Sequence, residues 1–231
     1  MIAEEYNYNY QPLSSIPKGT AIGCIIDCFK KTVPFFKTAL IQPDILKPLN
    51  ENKLTQIFVE QLKVQLRKKQ VAFDVSNQYS DIFFGTKGIP DFYFHNLEEG
   101  KISIPLFIVE AKRLPAPQLV NEMEYVKGQK NNGGIERFKT AKHGKDLLEC
   151  GMIGYIEKED ASIWLNKINE WIKNLIDTDR NWNLIEILSK KETSDEFTYL
   201  LSVVNTHDQR SLPLHHFWVD LKSSVTFNKR Q

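Results

Sequence analysis

Asp91, Glu110 and Lys112 are the residues of this chain whose types and spacing could do chemistry. In "GIPDFYFHNLEEGKISIPLFIVEAKRL" two apolar runs each hold charge at one end. Pro90-Asp91 opens the first run, and Glu110-Ala111-Lys112 closes the second. Ionised side chains at the covered end of an apolar strand need a partner. Two carboxylates and an ammonium around a divalent cation would supply one. Asp91 and Glu110 offer hard oxygen ligands for Mg²⁺, an ion that keeps several of its waters. Such an ion lowers the pKa of a bound water and offsets charge on a phosphate. Lys112 would orient the attacking water or neutralise the developing charge. The chemistry expected is hydrolysis of a phosphodiester bond.

A hairpin must bring these groups together. The turn "LEEGK" centres near Glu99–Gly100, and residues of an antiparallel pair face each other when their numbers sum to a constant. Asp91 then falls beside the end that carries Glu110 and Lys112. Strand alternation puts Glu110 and Lys112 on one face. Pro90 fixes the backbone entering the first strand, and Pro105 is tolerable at a strand start or bulge.

The flanking segments predict the rest. "AIGCIIDCFKKTVPFFKTALI" reads as a helix interrupted by Pro34 into two short pieces. A firmer helix begins near Asn50–Asn52, with Leu54, Ile57, Phe58, Leu62 and Leu66 at helical spacing. "VAFDVSNQYSDIFF" suggests an edge strand or hairpin arm. "NEMEYVKGQKNNGGIERFKTAKHGKDLLE" reads as polar, basic and helical in its second half, and "CGMIGYIEK" as a short buried strand. "ASIWLNKINEWIKNLI" is amphipathic, with Ile163, Trp164, Ile168, Trp171, Ile172 and Leu175 on its apolar side. Its tryptophans read as core or as a dimer contact. "EFTYLLSVVNT" and "LPLHHFWVDL" add two strands. The organisation expected is one α/β domain with a helical N-terminal extension. The arm and extension cover 1–49, and the domain covers 50–231, with a core at 50–157 and a C-terminal helix and strands at 158–231.

Composition sets the outer limits. With 231 residues, 42% hydrophobic and 26% charged, the chain is long enough for a sizeable core without disulfide or metal staples. Its 30 basic residues nearly cancel 29 acidic ones, so local charge matters more than the net +1. Cys24, Cys28 and Cys150 form no closed disulfide framework and no zinc ligand set. The N-terminal stretch is acidic and polar, unlike a signal or transit peptide, and no apolar run approaches membrane-spanning length. A cytoplasmic protein with no membrane contact is expected.

Residues 50–157, about half the chain, resemble the PD-(D/E)xK nuclease superfamily, whose members have the restriction-endonuclease-like fold. They share a helix, a three-stranded meander, a second helix and a further strand. The resemblance implies a mixed central sheet flanked by helices, with Asp91 and Glu110 as metal ligands and Lys112 as the catalytic lysine. It adds the Ala111 carbonyl as a further ligand. Many members carry a helical glutamate near the metal, and Glu60 is the candidate. A solvated helix-face carboxylate is its other reading. Some members have a glutamine ahead of a tyrosine near the second helix. Gln129 matches the first part only, since no tyrosine follows at that spacing, and it reads equally as a polar loop residue. The cofactor implied is Mg²⁺, with Mn²⁺ able to substitute.

"KGQKNNGGIERFKTAKHGK" gathers Lys127, Lys130, Arg137, Lys139, Lys142, His143 and Lys145. Gly133-Gly134 could present backbone N–H groups to phosphate at a helix start. The stretch is expected to contact nucleic-acid phosphates, with a solvated helix face as the alternative. His215 and His216, adjacent on a strand, face opposite sides and do not chelate one ion. Nothing in their spacing assigns His207 or Arg210 a role. The activity expected is a Mg²⁺-dependent endonuclease acting on DNA, with RNA also open, in a restriction or anti-phage setting. The rival readings are a non-cleaving nucleic-acid or protein-interaction module that keeps the fold, and a nuclease latent until it assembles as a homodimer or with a partner subunit.

Overall fold

The computed structural model describes residues 18–80, 88–100, 102 and 104–224. The arm over 1–17 lies outside them, as do 81–84 of the expected edge-strand stretch and Lys101 of the hairpin turn.

Helix α1 runs unbroken over Lys18–Leu40 with Pro34 inside it, so the expected break does not occur. A proline in a helix interior costs about 3 kcal/mol. Phe36 and Leu40, beyond the proline, are fully buried, as are Phe29 and Val33 before it. Burying each such side chain returns about 1.5–3 kcal/mol, so tertiary packing outweighs the lost hydrogen bond. Helix α2, Glu51–Lys69, starts where expected. Asn50 caps it by accepting from the Lys53 N–H at 2.9 Å, and Leu54, Phe58, Leu62 and Leu66 are buried along one face.

Among the described residues seven strands follow: β1 Phe73–Asn77, β2 Phe92–Asn96, β3 Pro105–Leu114, β4 Cys150–Ile156, β5 Ser189–Thr193, β6 Phe197–Asn205 and β7 Ser211–Asp220. They form one mixed sheet in the order β1-β2-β3-β4-β7-β6-β5. β1, β2 and β3 are antiparallel, β3, β4 and β7 are parallel, and β7, β6 and β5 are antiparallel again. Helices α3, Gly134–Lys139, and α4, Ala161–Thr178, complete the elements that matter here. β5 escapes sequence reading because "SKKET" is polar and exposed throughout, with no apolar period to reveal it.

Alternation along the strands builds a core on each face. Phe92, Phe94, Phe107, Val109 and Ala111 pack with α1 and α2, whereas Ile108, Leu114, Met152 and Trp218 pack with α3 and α4. Phe29 of α1 stacks on Phe217 with ring centroids 4.0 Å apart, and Lys37 pairs with Glu196 at 2.7 Å. Helix α1 is thus part of the same core as α2 and the sheet, not an appendage ending at residue 49. On the opposite face Trp164 is buried in the core, while Ile163 is exposed. The second half of the basic stretch is less helical than expected. Only six residues, Gly134–Lys139, form a helix before the chain turns toward β4.

Candidate functional site

The β2–β3 hairpin aligns Phe92 with Val109, and one step further along the ladder Asp91 meets the Glu110 end of β3. Pro90 is buried, and the Asp91 carbonyl accepts from the Gln78 N–H at 2.9 Å, which pins Asp91 to the end of β1. Its side chain completes the junction by accepting from the Ala111 N–H at 2.7 Å. Glu110 and Lys112 share a face of β3, and Lys112 Nζ lies 2.8 Å from Glu110 Oε1. Both are almost wholly buried, at 1% and 4% exposure. The ammonium also donates to the Ala111 carbonyl at 2.7 Å and reaches Glu51 Oε1 at 3.4 Å. Its three donors therefore face the oxygens of two carboxylates and one carbonyl.

Helix α3 and the turn after it close the site from the other side. Arg137 Nη1 sits 3.0 Å from Glu110 Oε1, and His143 Nε2 sits 3.0 Å from Glu110 Oε2. Three carboxylates, Glu51, Asp91 and Glu110, thus meet Lys112, Arg137 and His143. Gly88 allows this closure. A Cβ there would lie 2.3 Å from the Lys142 carbonyl and 2.5 Å from His143 Nδ1, so only glycine lets the segment leading to Asp91 approach so closely.

The electrostatics of the two hairpin carboxylates diverge. Burial pushes the Asp91 carboxyl up, Glu110's charge adds to this, and it reaches about 7. Burial pushes Glu110 up as well, but Lys112, His143 and Arg137 outweigh it and hold the group at about 2. Burial also raises Glu51, and Lys112 only partly offsets it. Burial works against the charged form of Lys112, yet Glu110, Glu51 and Asp91 overcome it and raise its pKa.

Not every expected residue joins this cluster. Glu60 is exposed on α2, where Gln56 donates to it at 3.1 Å, and it does not take part. Nine residues separate it from Glu51, about 14 Å along a helix axis. The first turn of α2 is what abuts the end of β3, so Glu51 stands in the place proposed for Glu60. A carboxylate directly after the Asn50 cap was the sequence signal for it. Gln129 is exposed and donates to the Val120 carbonyl at 3.2 Å, remote from the cluster in its bonding.

The basic stretch divides in the same way. Lys139 is 2% exposed, ion-paired with buried Glu186 and packed over Trp182, so it cannot meet phosphate. Lys127 pairs with Asp179 at 3.1 Å. The Gly133 N–H is taken by Glu136 Oε2 at 3.2 Å, and a Cβ on Gly133 would lie 2.4 Å from Lys127 Cα. These glycines therefore serve loop packing, and no phosphate cradle forms there. Lys130 and Lys145 are exposed, Lys142 is half-buried, and Arg137 faces Glu110. His143 is the member of this stretch that becomes a partner of Glu110.

The paired histidines of β7 point to opposite faces. His216 bonds Tyr125 at 2.9 Å and Ser202 at 3.0 Å, and burial, then His215, pushes it down to about 3. His215 bonds Tyr199 at 2.8 Å and Glu149 at 2.6 Å. His207 is exposed and its backbone N–H meets the Lys139 carbonyl, while Arg210 pairs with Asp208 at 2.9 Å. Among the described residues, no helix is long and apolar enough to cross a membrane. Comparison of the chain with protein-family models, curated proteins and solved structures finds no match.

Proposed function

We propose that this chain is a divalent-metal-dependent nuclease of the PD-(D/E)xK type with a restriction-endonuclease-like fold. The observation that carries this reading is the convergence of Asp91, Glu110 and Lys112 at one end of the β2–β3 hairpin, with Glu51 and the Ala111 carbonyl beside them. The order α2-β1-β2-β3-α3-β4, with β3 and β4 parallel, supports the fold assignment. Asp91, Glu110, Glu51 and the Ala111 carbonyl are a hard-oxygen donor set, which suits Mg²⁺ or Mn²⁺. Lys112 Nζ already lies against three of these four groups, which marks them as a place for positive charge. A bound divalent ion would generate a hydroxide-like nucleophile and offset phosphate charge. Lys112, fixed by Glu110 and the Ala111 carbonyl, would turn its third donor, 3.4 Å from Glu51, to the incoming water and to charge developing on the phosphate. Arg137 and His143 hold Glu110 in place.

The direct test incubates the purified chain with linear, circular and single-stranded DNA and with RNA, in Mg²⁺ or in EDTA. Cleavage of at least one polymer in Mg²⁺, and none in EDTA, is expected. Stabilisation by Mg²⁺ without turnover on any of them would favour the non-cleaving module instead.

Metal binding should also depend on pH. Asp91 has its pKa raised on folding, so its contribution to stability is complete below about pH 4 and falls as pH rises to about 7. A shift from 3.8 to about 7 is worth up to about 4 kcal/mol. Glu110 runs the other way: its stabilisation is present above about pH 4.5 and is lost as pH falls toward 2. A cation bound at Asp91 cancels the penalty on its ionised form. Thermal melts should therefore show a larger Mg²⁺ stabilisation at pH 8 than at pH 5.5, and Asp91→Asn should flatten the difference. An equal Mg²⁺ shift at both pH values would place the ion elsewhere.

A further inference from the structure

A cavity of about 440 Å³ opens beside Glu110, lined by Gly88, Ile89, Asn132, Arg137, Lys142 and His143. Its size suits a nucleotide unit. None of the six described residues that line it is acidic, and two are permanent cations. Arg137 and His143 also touch Glu110, so the cavity and the hairpin cluster share a wall. The shared wall is rigid. Arg137 Nε donates to the Asn132 carbonyl at 3.1 Å, and His143 lies between Glu110 and the Lys142 carbonyl, 3.0 Å from each. Lys142 Nζ donates to the Asn131 carbonyl at 2.6 Å, which uses one of its three donors. A guanidinium offers five donors in a planar fork suited to phosphate.

We infer that this cavity is a subsite for a phosphate group of the substrate strand flanking the bond to be cut, with Arg137 and Lys142 as its anion-binding side chains. This rests on the nuclease reading. No carboxylate stands among the described residues of this wall, and the spare donors of a lysine and an arginine select an anion. The shared wall with Glu110 makes that anion part of the molecule undergoing reaction. Of the six lysines and arginines expected to meet nucleic acid, Arg137 and Lys142 are the ones the fold gathers beside the hairpin cluster.

Lys142 does not touch Glu110, so it tests the subsite without disturbing the reacting groups. Wild type, Lys142→Ala and Lys130→Ala are compared for binding to 20-nucleotide single-stranded and duplex DNA in EDTA across a salt series, by fluorescence anisotropy. Cleavage in Mg²⁺ is measured in parallel. Lys142→Ala should weaken binding roughly three- to tenfold and lower the salt slope by about 1. It should raise KM with little change in kcat, and Lys130→Ala should match wild type. An unchanged affinity and slope for Lys142→Ala, with wild type active, would overturn the subsite and leave the nuclease reading standing. Oligonucleotides with and without a 5′-phosphate separate the two sources. A 5′-phosphate preference lost in Lys142→Ala assigns a terminal phosphate, and equal binding assigns an internal diester. If wild type neither binds nor cleaves any polymer, the nuclease reading fails. The cavity is then tested with inorganic phosphate, whose thermal stabilisation of wild type must be lost in Lys142→Ala, and its absence in wild type overturns the inference.

Discussion

If the proposed nuclease function holds, Glu110→Gln and Lys112→Met should each reduce metal-dependent cleavage by about 10³-fold or more while the chain stays folded. The magnitude follows from the preorganised charge each removes, since losing one buried donor aimed at a reacting centre costs about 10²–10³ in rate. Glu110 is also a proposed metal ligand, so its loss adds a defect in ion binding. The amide of Glu110→Gln keeps the side chain's size but presents less negative charge to Lys112, Arg137 and His143. Lys112→Met keeps the apolar stem and removes the ammonium that reaches Glu51, Glu110 and the Ala111 carbonyl. Circular dichroism and melting curves establish folding, and initial rates over a substrate series separate kcat from KM. A purely structural role for these residues would lower the melting temperature and leave the rate of the folded fraction intact. Cleavage at the wild-type rate by both variants would remove the hairpin cluster from the mechanism.

Lys139→Ala should lower stability by about 3–5 kcal/mol, because it leaves Glu186 buried without its partner. Glu186 is fully buried, and the pair joins the end of α3 to the turn before β5, where Glu186 also accepts from the N–H of Asn205 on β6 at 3.2 Å. The Lys139 ammonium donates to the Asn205 carbonyl at 3.0 Å and lies 5.0 Å over the Trp182 ring. For a chain of this length the loss corresponds to a fall in melting temperature of roughly 6–20 °C. The double change Lys139→Met with Glu186→Leu should recover most of it, since both buried charges are then gone. Nucleic-acid affinity below the melting transition should not change, which separates Lys139 from Arg137 and Lys142. A loss of affinity in folded Lys139→Ala, with unchanged stability, would reverse this assignment.

The contrast between these two lysines shows what a sequence pattern can carry. Lys112 was legible because its neighbours in sequence are its neighbours in space. It lies two residues from Glu110 on one strand, and the antiparallel pairing of β2 with β3 brings Asp91 back toward them. Lys139 sat in a run of basic residues and looked like the rest of it. Its burial depends on β6 and on Glu186, 47 residues away, and no local spacing encodes that. Glu51 and Glu60 make the same point on α2. Both are glutamates on one helix, and only the docking of its first turn against the end of β3 selects Glu51. Pro34 failed as a helix breaker for a related reason. The proline rule describes an isolated helix, whereas Phe36 and Leu40 are held by a core shared with α2 and the sheet.

By itself the amino-acid sequence determined the elements whose signals are local: the helix that starts near Asn50, the β2–β3 hairpin and the buried strand β4. It also determined that Asp91, Glu110 and Lys112 meet, since alternation and turn length suffice for that. The tertiary structure alone decided what surrounds them. Arg137 and His143 reach Glu110 because α3 and its following turn pack on the face of β3 that Glu110 shares, with Gly88 permitting the approach. Those contacts join segments more than 25 residues apart, and their positions follow from how two cores fill the faces of one sheet. Side-chain periodicity reports which face a residue occupies; what meets it there depends on packing between elements distant along the chain.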